Sequence, residues 1–255
     1  MAHELLRVSN RIFYMTFGEE TDRPNLGYVR GDRFSLMFDC GASVRHVCEY
    51  RRLLREAGLP FPNFAVLSHW HWDHALGMNA LDIPVIAGRK TNDKLKEVSV
   101  WEWTEQAMRH RLETGEDILF CWDMVQKEHG KDLSAIPRFR TADIVFEEEM
   151  ELDLGGVSCR LACVGGPHSE DSVVCHVPEE RFLLLSDSSG KDLFGTPWEY
   201  DPKHPEKSGE AMDAMPYDET RLADYLRRLE EFDFHLCLKG HEACMDRETF
   251  LASLR

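Results

Sequence analysis

The run Ser68-His69-Trp70-His71-Trp72-Asp73-His74 places three imidazoles and a carboxylate within six positions. Imidazole nitrogen and carboxylate oxygen are the ligands that zinc and related divalent ions take. Four such side chains crowd a single ion that must keep an open coordination position, whereas two adjacent ions can share them. The run follows Phe64 to Leu67, a short apolar segment that reads as a buried strand. A loop rooted in such a strand can aim closely spaced side chains at one point. No G-x-S-x-G or P-loop pattern occurs, so neither serine-hydrolase nor nucleotide-driven chemistry competes with a metal site.

The elements that must position this run are legible as alternating β and helical patterns. Short β-like runs cover Arg11 to Phe17, Leu26 to Val29 and Phe34 to Phe38, the last leading into Asp39. Val44, Val47, Tyr50, Leu54 and Ala57 recur at helical steps, and Gly58 with Pro60 ends that helix. From about Gly88 to Asp143 the pattern turns helical. Leu95, Val98, Trp101, Met108 and Leu112 predict one helical stretch closed by Gly115, and Ile118, Trp122 and Val125 a second, closed by Gly130. The β pattern resumes over Glu149 to Leu154, Val157 to Val164, Ser172 to Val177 and Arg181 to Ser186. Gly190 to Pro216 reads as a long loop. Asp218 is placed to cap a helix whose Leu222, Leu226, Leu229 and Phe232 share a face, His235 to Leu238 is a last strand, and Asp246 caps a terminal helix. Strands followed by helices occur twice, which predicts an α/β fold of two βα halves packed as a sandwich.

With 255 residues and no repeat, low-complexity tract or linker, residues 1–255 are expected to form one domain carrying a helical insert at about 88–143. The net charge of −16 repels phosphate backbones and excludes a broad nucleic-acid footprint. No apolar run approaches the ~20 residues of a membrane helix. The amino terminus lacks a basic patch followed by an apolar stretch. The eight cysteines include no C-x-x-C pair and read as reduced core thiols. A cytoplasmic protein acting on a small molecule is therefore expected, with no nucleic-acid or membrane partner and its oligomeric state open.

The segment SHWHWDHALG resembles the signature of the metallo-β-lactamase superfamily, and the other family motifs follow in order. Asp39 resembles the acid of the first motif, which supports the metal site from behind the ligands. His168, in Gly165-Gly166-Pro167-His168-Ser169, resembles the third histidine of the first metal site. Asp187 resembles the bridging carboxylate, and His241, in Lys239-Gly240-His241-Glu242, the final ligand. The resemblance implies a four-layer αββα sandwich. It further implies that His69, His71 and His168 hold one ion, that Asp73, His74 and His241 hold the other, and that Asp187 bridges both. Two departures stand beside His168: Pro167 replaces the usual glycine, and Glu170-Asp171 replaces the usual small residues.

The implied activity is hydrolysis by a hydroxide bridging two divalent ions, zinc foremost, with iron or manganese as alternatives. Asp73 would ligate, accept a hydrogen bond from the nucleophile and carry its proton to the leaving group. Aspartate at position 187 points away from the true β-lactamases, where that position is usually not aspartate, and toward the glyoxalase II-like, lactonase-like and nuclease-like branches. The last usually adds substrate-binding domains or basic surfaces, which this chain of net charge −16 lacks. A small ester, thioester or lactone is the expected substrate. A small phosphodiester is the alternative on the same site. A di-iron redox or oxygen-binding protein is the alternative from another class; that branch usually replaces the histidine at position 71 by glutamate and adds a flavin-binding domain. Trp101, Trp103 and Trp122 of the insert are the expected aromatic walls of the pocket. Lys191, in the loop after Asp187, is the candidate to meet a substrate carboxylate.

Overall fold

A computed structural model describes residues 2–130 and 132–254. In chain order the first half comprises β1 (Leu5–Arg7), β2 (Ile12–Met15), β3 (Leu26–Arg30), β4 (Ser35–Phe38), α1 (Val44–Glu56), β5 (Phe64–Leu67), α2 (Trp72–Ala75), β6 (Val85–Gly88), α3 (Arg89–Val98), α4 (Glu105–Thr114), α5 (Leu119–His129) and β7 (Ile144–Phe146). The second comprises β8 (Glu149–Asp153), β9 (Ser158–Cys163), β10 (Val173–Val177), β11 (Phe182–Ser186), α6 (Pro205–Ala214), α7 (Glu219–Leu229), β12 (Leu236–Lys239), β13 (Met245–Asp246) and α8 (Arg247–Ser253).

One sheet has the order β1-β2-β3-β4-β5-β6-β7, and the other β13-β12-β11-β10-β9-β8. Both are mixed. The first is antiparallel through β4 and parallel from β4 to β7. The second is antiparallel except between β11 and β12.

Side-chain alternation explains the layers. Leu36, Phe38, Val66 and Ile86 of the first sheet meet Leu161, Val173, Cys175, Phe182 and Leu184 of the second in a shared core. The intervening Met37, Ala65, Leu67, Val85 and Ala87 face the opposite way, against Val47, Tyr50 and Leu54 of α1 and the α3–α5 segment. Val174, Leu183 and Leu185 similarly face Tyr225 and Leu229 of α7 and Phe250 of α8. The result is an α/β fold in four layers, αββα. Burying each such Leu or Phe stabilises the fold by about 2 kcal/mol.

The caps follow the expected chemistry. Ser43 accepts the His46 N–H, Asp218 the Arg221 N–H and Asp246 the Thr249 N–H. None of the eight cysteines is in a disulfide. Among the described residues, no helix is long and apolar enough to cross a membrane.

Two expectations change, and two strands join those expected. The single helical stretch from Leu95 to Leu112 is two helices, because Trp103 donates its indole N–H to the Pro137 carbonyl and Thr104 caps a new helix by accepting the Ala107 N–H. The loop from Gly190 to Pro216 contains α6, whose mostly exposed surface carries no apolar stripe to reveal it. The strands β6 and β7 flank the helical segment at Gly88 and Ile144, each too short to stand out in the sequence.

Behind the histidine run, α2 continues into a 3-10 turn over Leu76–Ala80, and the Gly77 N–H donates to the Gly41 carbonyl at 2.7 Å. A Cβ on Gly77 would lie 2.1 Å from the Cys40 carbonyl oxygen, a rigid backbone atom. The Gly77→Ala variant is expected to lose about 2 kcal/mol or more of stability, read as a lower urea midpoint at unchanged slope. An unchanged midpoint would show that the two turns are not packed this closely.

Candidate metal centre

The histidine run is divided by a change of local structure. After β5, His69 and His71 lie in the connecting loop, and His71 then starts α2, its carbonyl accepting the N–H groups of His74 and Ala75. The turn sets Asp73 and His74 on a separate heading, with the His74 ring still 4.3 Å from that of His69. Two groups of ligand atoms result: His69, His71 and His168 in one, and Asp73, His74, Asp187 and His241 in the other, all within 4.8 Å of one another in each group.

In the first group His71 Nδ1 lies 3.0 Å from both His69 Nε2 and His168 Nε2. In the second, His74 Nε2 lies 2.9 Å from Asp73 Oδ2 and 3.2 Å from Asp187 Oδ2, and His241 Nε2 lies 3.3 Å and 3.4 Å from the same oxygens. Asp187 Oδ2 is also 3.8 Å from His168 Nε2, so one carboxylate oxygen faces both groups.

The rings are held from behind. His69 Nδ1 contacts the Ser68 hydroxyl at 2.9 Å, and His168 Nδ1 donates to the Lys191 carbonyl at 2.8 Å. His74 Nδ1 faces Asp39 Oδ2 at 3.0 Å and Ser186 Oγ at 3.3 Å. Fixing the second nitrogen sets the tautomer and aims the first. Asp39 also accepts the Ser68 N–H at 3.1 Å and the Ser186 hydroxyl at 2.6 Å.

Electrostatics separate the groups. Burial pushes the His69 and His71 imidazoles well down, and neighbouring imidazoles add to this, so both are neutral and ready to ligate. His74 and His241 are held well above the usual imidazole range; burial opposes this, but Asp73 and Asp39 beside His74, Asp187 beside both and Asp22 near His241 outweigh it. Asp187 lies well below the carboxylate range because His241 and His74 outweigh its own burial. These shifts favour the charged rings beside Asp73, which is buried, and Asp187, which is partly so, and a divalent cation would supply the same compensating charge. Nitrogen and oxygen donors of this kind, converging with one shared carboxylate oxygen, fit two such ions.

Several contributing residues carry no sequence signal. Asn25, just before β3, donates to the Lys239 and Glu242 carbonyls at 2.8 Å and 2.7 Å, holding the His241 loop from more than two hundred residues away. Asp22 faces His241 Nδ1 at 3.6 Å. The Glu170-Asp171 departure now has a physical account, since Asp171 Oδ2 accepts the Trp70 N–H at 3.0 Å and ties the His168 loop to the residue between His69 and His71. Pro167 leaves His168 within the first group.

Trp101 and Trp103 line a narrow pocket beside His71 with Trp70, Phe139, Phe194 and Asp117. Burial pushes Asp117 up to about 6, against the pull of the Ile118 N–H and Arg111. Trp122 is not among the pocket walls; it packs on the outer core with the Arg109 guanidinium 5.7 Å from its ring centre. Lys191 follows the bridging position, but its ammonium donates to the Met212 and Asp213 carbonyls at the end of α6. Its backbone carbonyl, which orients His168, is the part that faces the site.

A Cβ on Gly240 would fall 1.9 Å from Asp187 Oδ1. The Gly240→Ala variant is therefore expected to displace Asp187 and, like Asp187→Ala, to lose at least one metal equivalent and most activity while its far-UV circular dichroism is unchanged. Full metal content in Gly240→Ala would show that Asp187 does not sit where both groups need it.

Residues 21–230 match the model of the metallo-beta-lactamase superfamily. No curated protein matches the chain by sequence. Among solved structures, it is similar to a metallo-beta-lactamase from Pontibacter korlensis at 17% identity and a TM-score of 0.62, covering 99% of this chain and 98% of that one. It is similar to TMB-1, studied for substrate and inhibitor binding, at 17% identity and a TM-score of 0.61, covering 100% and 96%. It is also similar to the stereoselective inverting sec-alkylsulfatase Pisa1 from Pseudomonas sp., at 13% identity and a TM-score of 0.62, covering 99% of this chain and 40% of that one. Identities this low establish the shared fold, and the family match over most of the chain establishes the rest: the protein belongs to the metallo-β-lactamase superfamily of hydrolytic enzymes.

Proposed function

We propose that this chain is a dinuclear metal-dependent hydrolase of a small ester, thioester or lactone, working as a single domain with a helical insert and using zinc in the cytoplasm. The observation that carries the reading is the convergence of two ligand groups on Asp187 Oδ2. Two divalent ions bound there would lower the pKa of a shared water to near neutrality and polarise the scissile carbonyl.

The protein's own residues do the rest. Ser68, Asp39, Ser186 and the Lys191 carbonyl fix the imidazoles in advance, so no reorganisation is needed at the moment of reaction. Asp73 places one oxygen between His74 and His241 and is the carboxylate positioned to take the proton of the attacking water and deliver it to the leaving oxygen or sulfur. The Trp70, Trp101, Trp103 and Phe194 walls leave about 10 Å³ between them, so they exclude bulk water on the His71 side and would have to part to take the apolar portion of the substrate.

The substrate class is supported by aspartate at position 187 and by the net charge of −16, which disfavours polynucleotides. The test is a side-by-side rate comparison on the metal-replete enzyme, with Asp73→Ala as background. Thioesters, esters and lactones should be cleaved well above β-lactams, DNA and RNA. A phosphodiesterase rate above all three would overturn the substrate assignment. Trp101→Ala and Trp103→Ala should each raise KM about tenfold at unchanged metal content. If both lower only the melting temperature, these walls are structural and the pocket lies elsewhere.

A further inference from the structure

Of the ligand histidines, His241 is the least enclosed, with 28% of its side chain exposed against 0% for His74 and 7% for His168. His74 is steadied by Asp39 at the end of β4, and His168 by a backbone carbonyl. The group behind His241 is instead Asp22, whose Oδ1 lies 3.6 Å from His241 Nδ1 while His241 Nε2 points at Asp73 and Asp187. Asp22 belongs to neither sheet. It sits at the end of a 3-10 turn over Glu19–Thr21, in left-handed backbone at φ 55°.

That turn is held at its base. Gly18 and Arg23 exchange backbone hydrogen bonds at 2.8 Å and 3.0 Å, which closes the loop and presents Asp22 at its tip. Arg23 then makes a two-pronged ion pair with Glu128, Nε to Oε2 and Nη2 to Oε1, both at 2.8 Å. The Glu128 side chain is 1% exposed and lies in the last turn of α5, and the Ser43 hydroxyl at the start of α1 donates to it. A bidentate guanidinium–carboxylate pair fixes orientation as well as distance, which a single contact does not.

We infer that Asp22 is the positioning residue for His241 in the second metal group, and that the Arg23–Glu128 pair is what holds Asp22 in place. By this route the helical segment between β6 and β7 reaches the metal centre through one buried ion pair. The inference rests on the dinuclear reading and adds to it a chain of residues, Glu128 to Arg23 to Asp22 to His241, drawn from three separate parts of the sequence. Outer partners of ligating histidines typically change metal affinity 10–100-fold when removed.

The experiment uses the full chain loaded with zinc and titrated with a chromophoric chelator, which yields one dissociation constant per ion. Asp22→Asn should weaken one of the two equivalents about tenfold or more and leave the other at its wild-type value. The melting temperature of the metal-free protein should not change, because Asp22 lies on a loop outside both sheets. Glu128→Gln should weaken the same equivalent by a smaller factor, and the double variant should fall short of the product of the two, since Glu128 acts through Asp22. Wild-type affinity for both ions in Asp22→Asn would overturn the assignment of Asp22. Equal weakening of both ions, together with a lower melting temperature, would show a structural role and overturn it as well. An effect in Asp22→Asn with none in Glu128→Gln would overturn the ion-pair half. A wild-type chain that binds a single zinc would instead overturn the dinuclear reading beneath the inference, and the wild-type titration alone reveals that outcome.

Discussion

The carboxylate of Asp39 holds the centre together. Fully buried, it accepts from the Ser68 N–H at the start of the histidine run, from the Ser186 hydroxyl at the end of β11 and faces His74 Nδ1. A buried carboxylate is tolerated only when its lone pairs are taken up, so the three partners and the charge depend on one another. Those partners come from both sheets. The contact therefore joins the ends of β4, β5 and β11, and five of the seven ligand-type residues follow β5 or β11. Asp39 and Ser186 both occupy left-handed backbone, at φ 69° and 49°, a conformation non-glycine residues keep only when their surroundings enforce it.

A second constraint is the concentration of negative charge. Asp73 and Asp187 are enclosed beside His74 and His241, with Asp39 and Asp22 a layer behind. Two neutral imidazoles of the first group, His69 and His71, contribute nothing to offset this charge. The sandwich supplies the rigidity that keeps such groups together without collapse. Its two sheets share an apolar core, and the ligand-bearing loops all emerge at the strand ends of one edge.

The part of this arrangement legible in the sequence is the part encoded locally. The histidine run, the strand before it and the isolated Asp39, His168, Asp187 and His241 each sit in a short recognisable context, and the structure gathers the ligand-type residues among them into two groups with Asp39 behind. The α/β layering was likewise visible in the alternation of apolar residues. The supporting residues were not visible, because their partners are distant in sequence: Asn25 with Lys239 and Glu242, Arg23 with Glu128, Asp171 with Trp70. Periodicity also misleads where tertiary contacts decide. The Trp103 indole bond to Pro137 breaks a helix that spacing alone would continue, and the carbonyls ending α6 take the Lys191 ammonium that loop position alone would assign to a ligand. Trp122 has helical spacing as Trp101 does, yet it lies outside the pocket that Trp101 and Trp103 line.

The central claim is that two ions occupy this centre, with Asp187 between them. Its most direct test is elemental analysis of protein purified without added metal, then saturated with zinc and freed of excess. Two equivalents per chain are expected, together with a loss of at least one in Asp187→Ala. A single tightly held ion at saturation in the wild-type chain would contradict the dinuclear account.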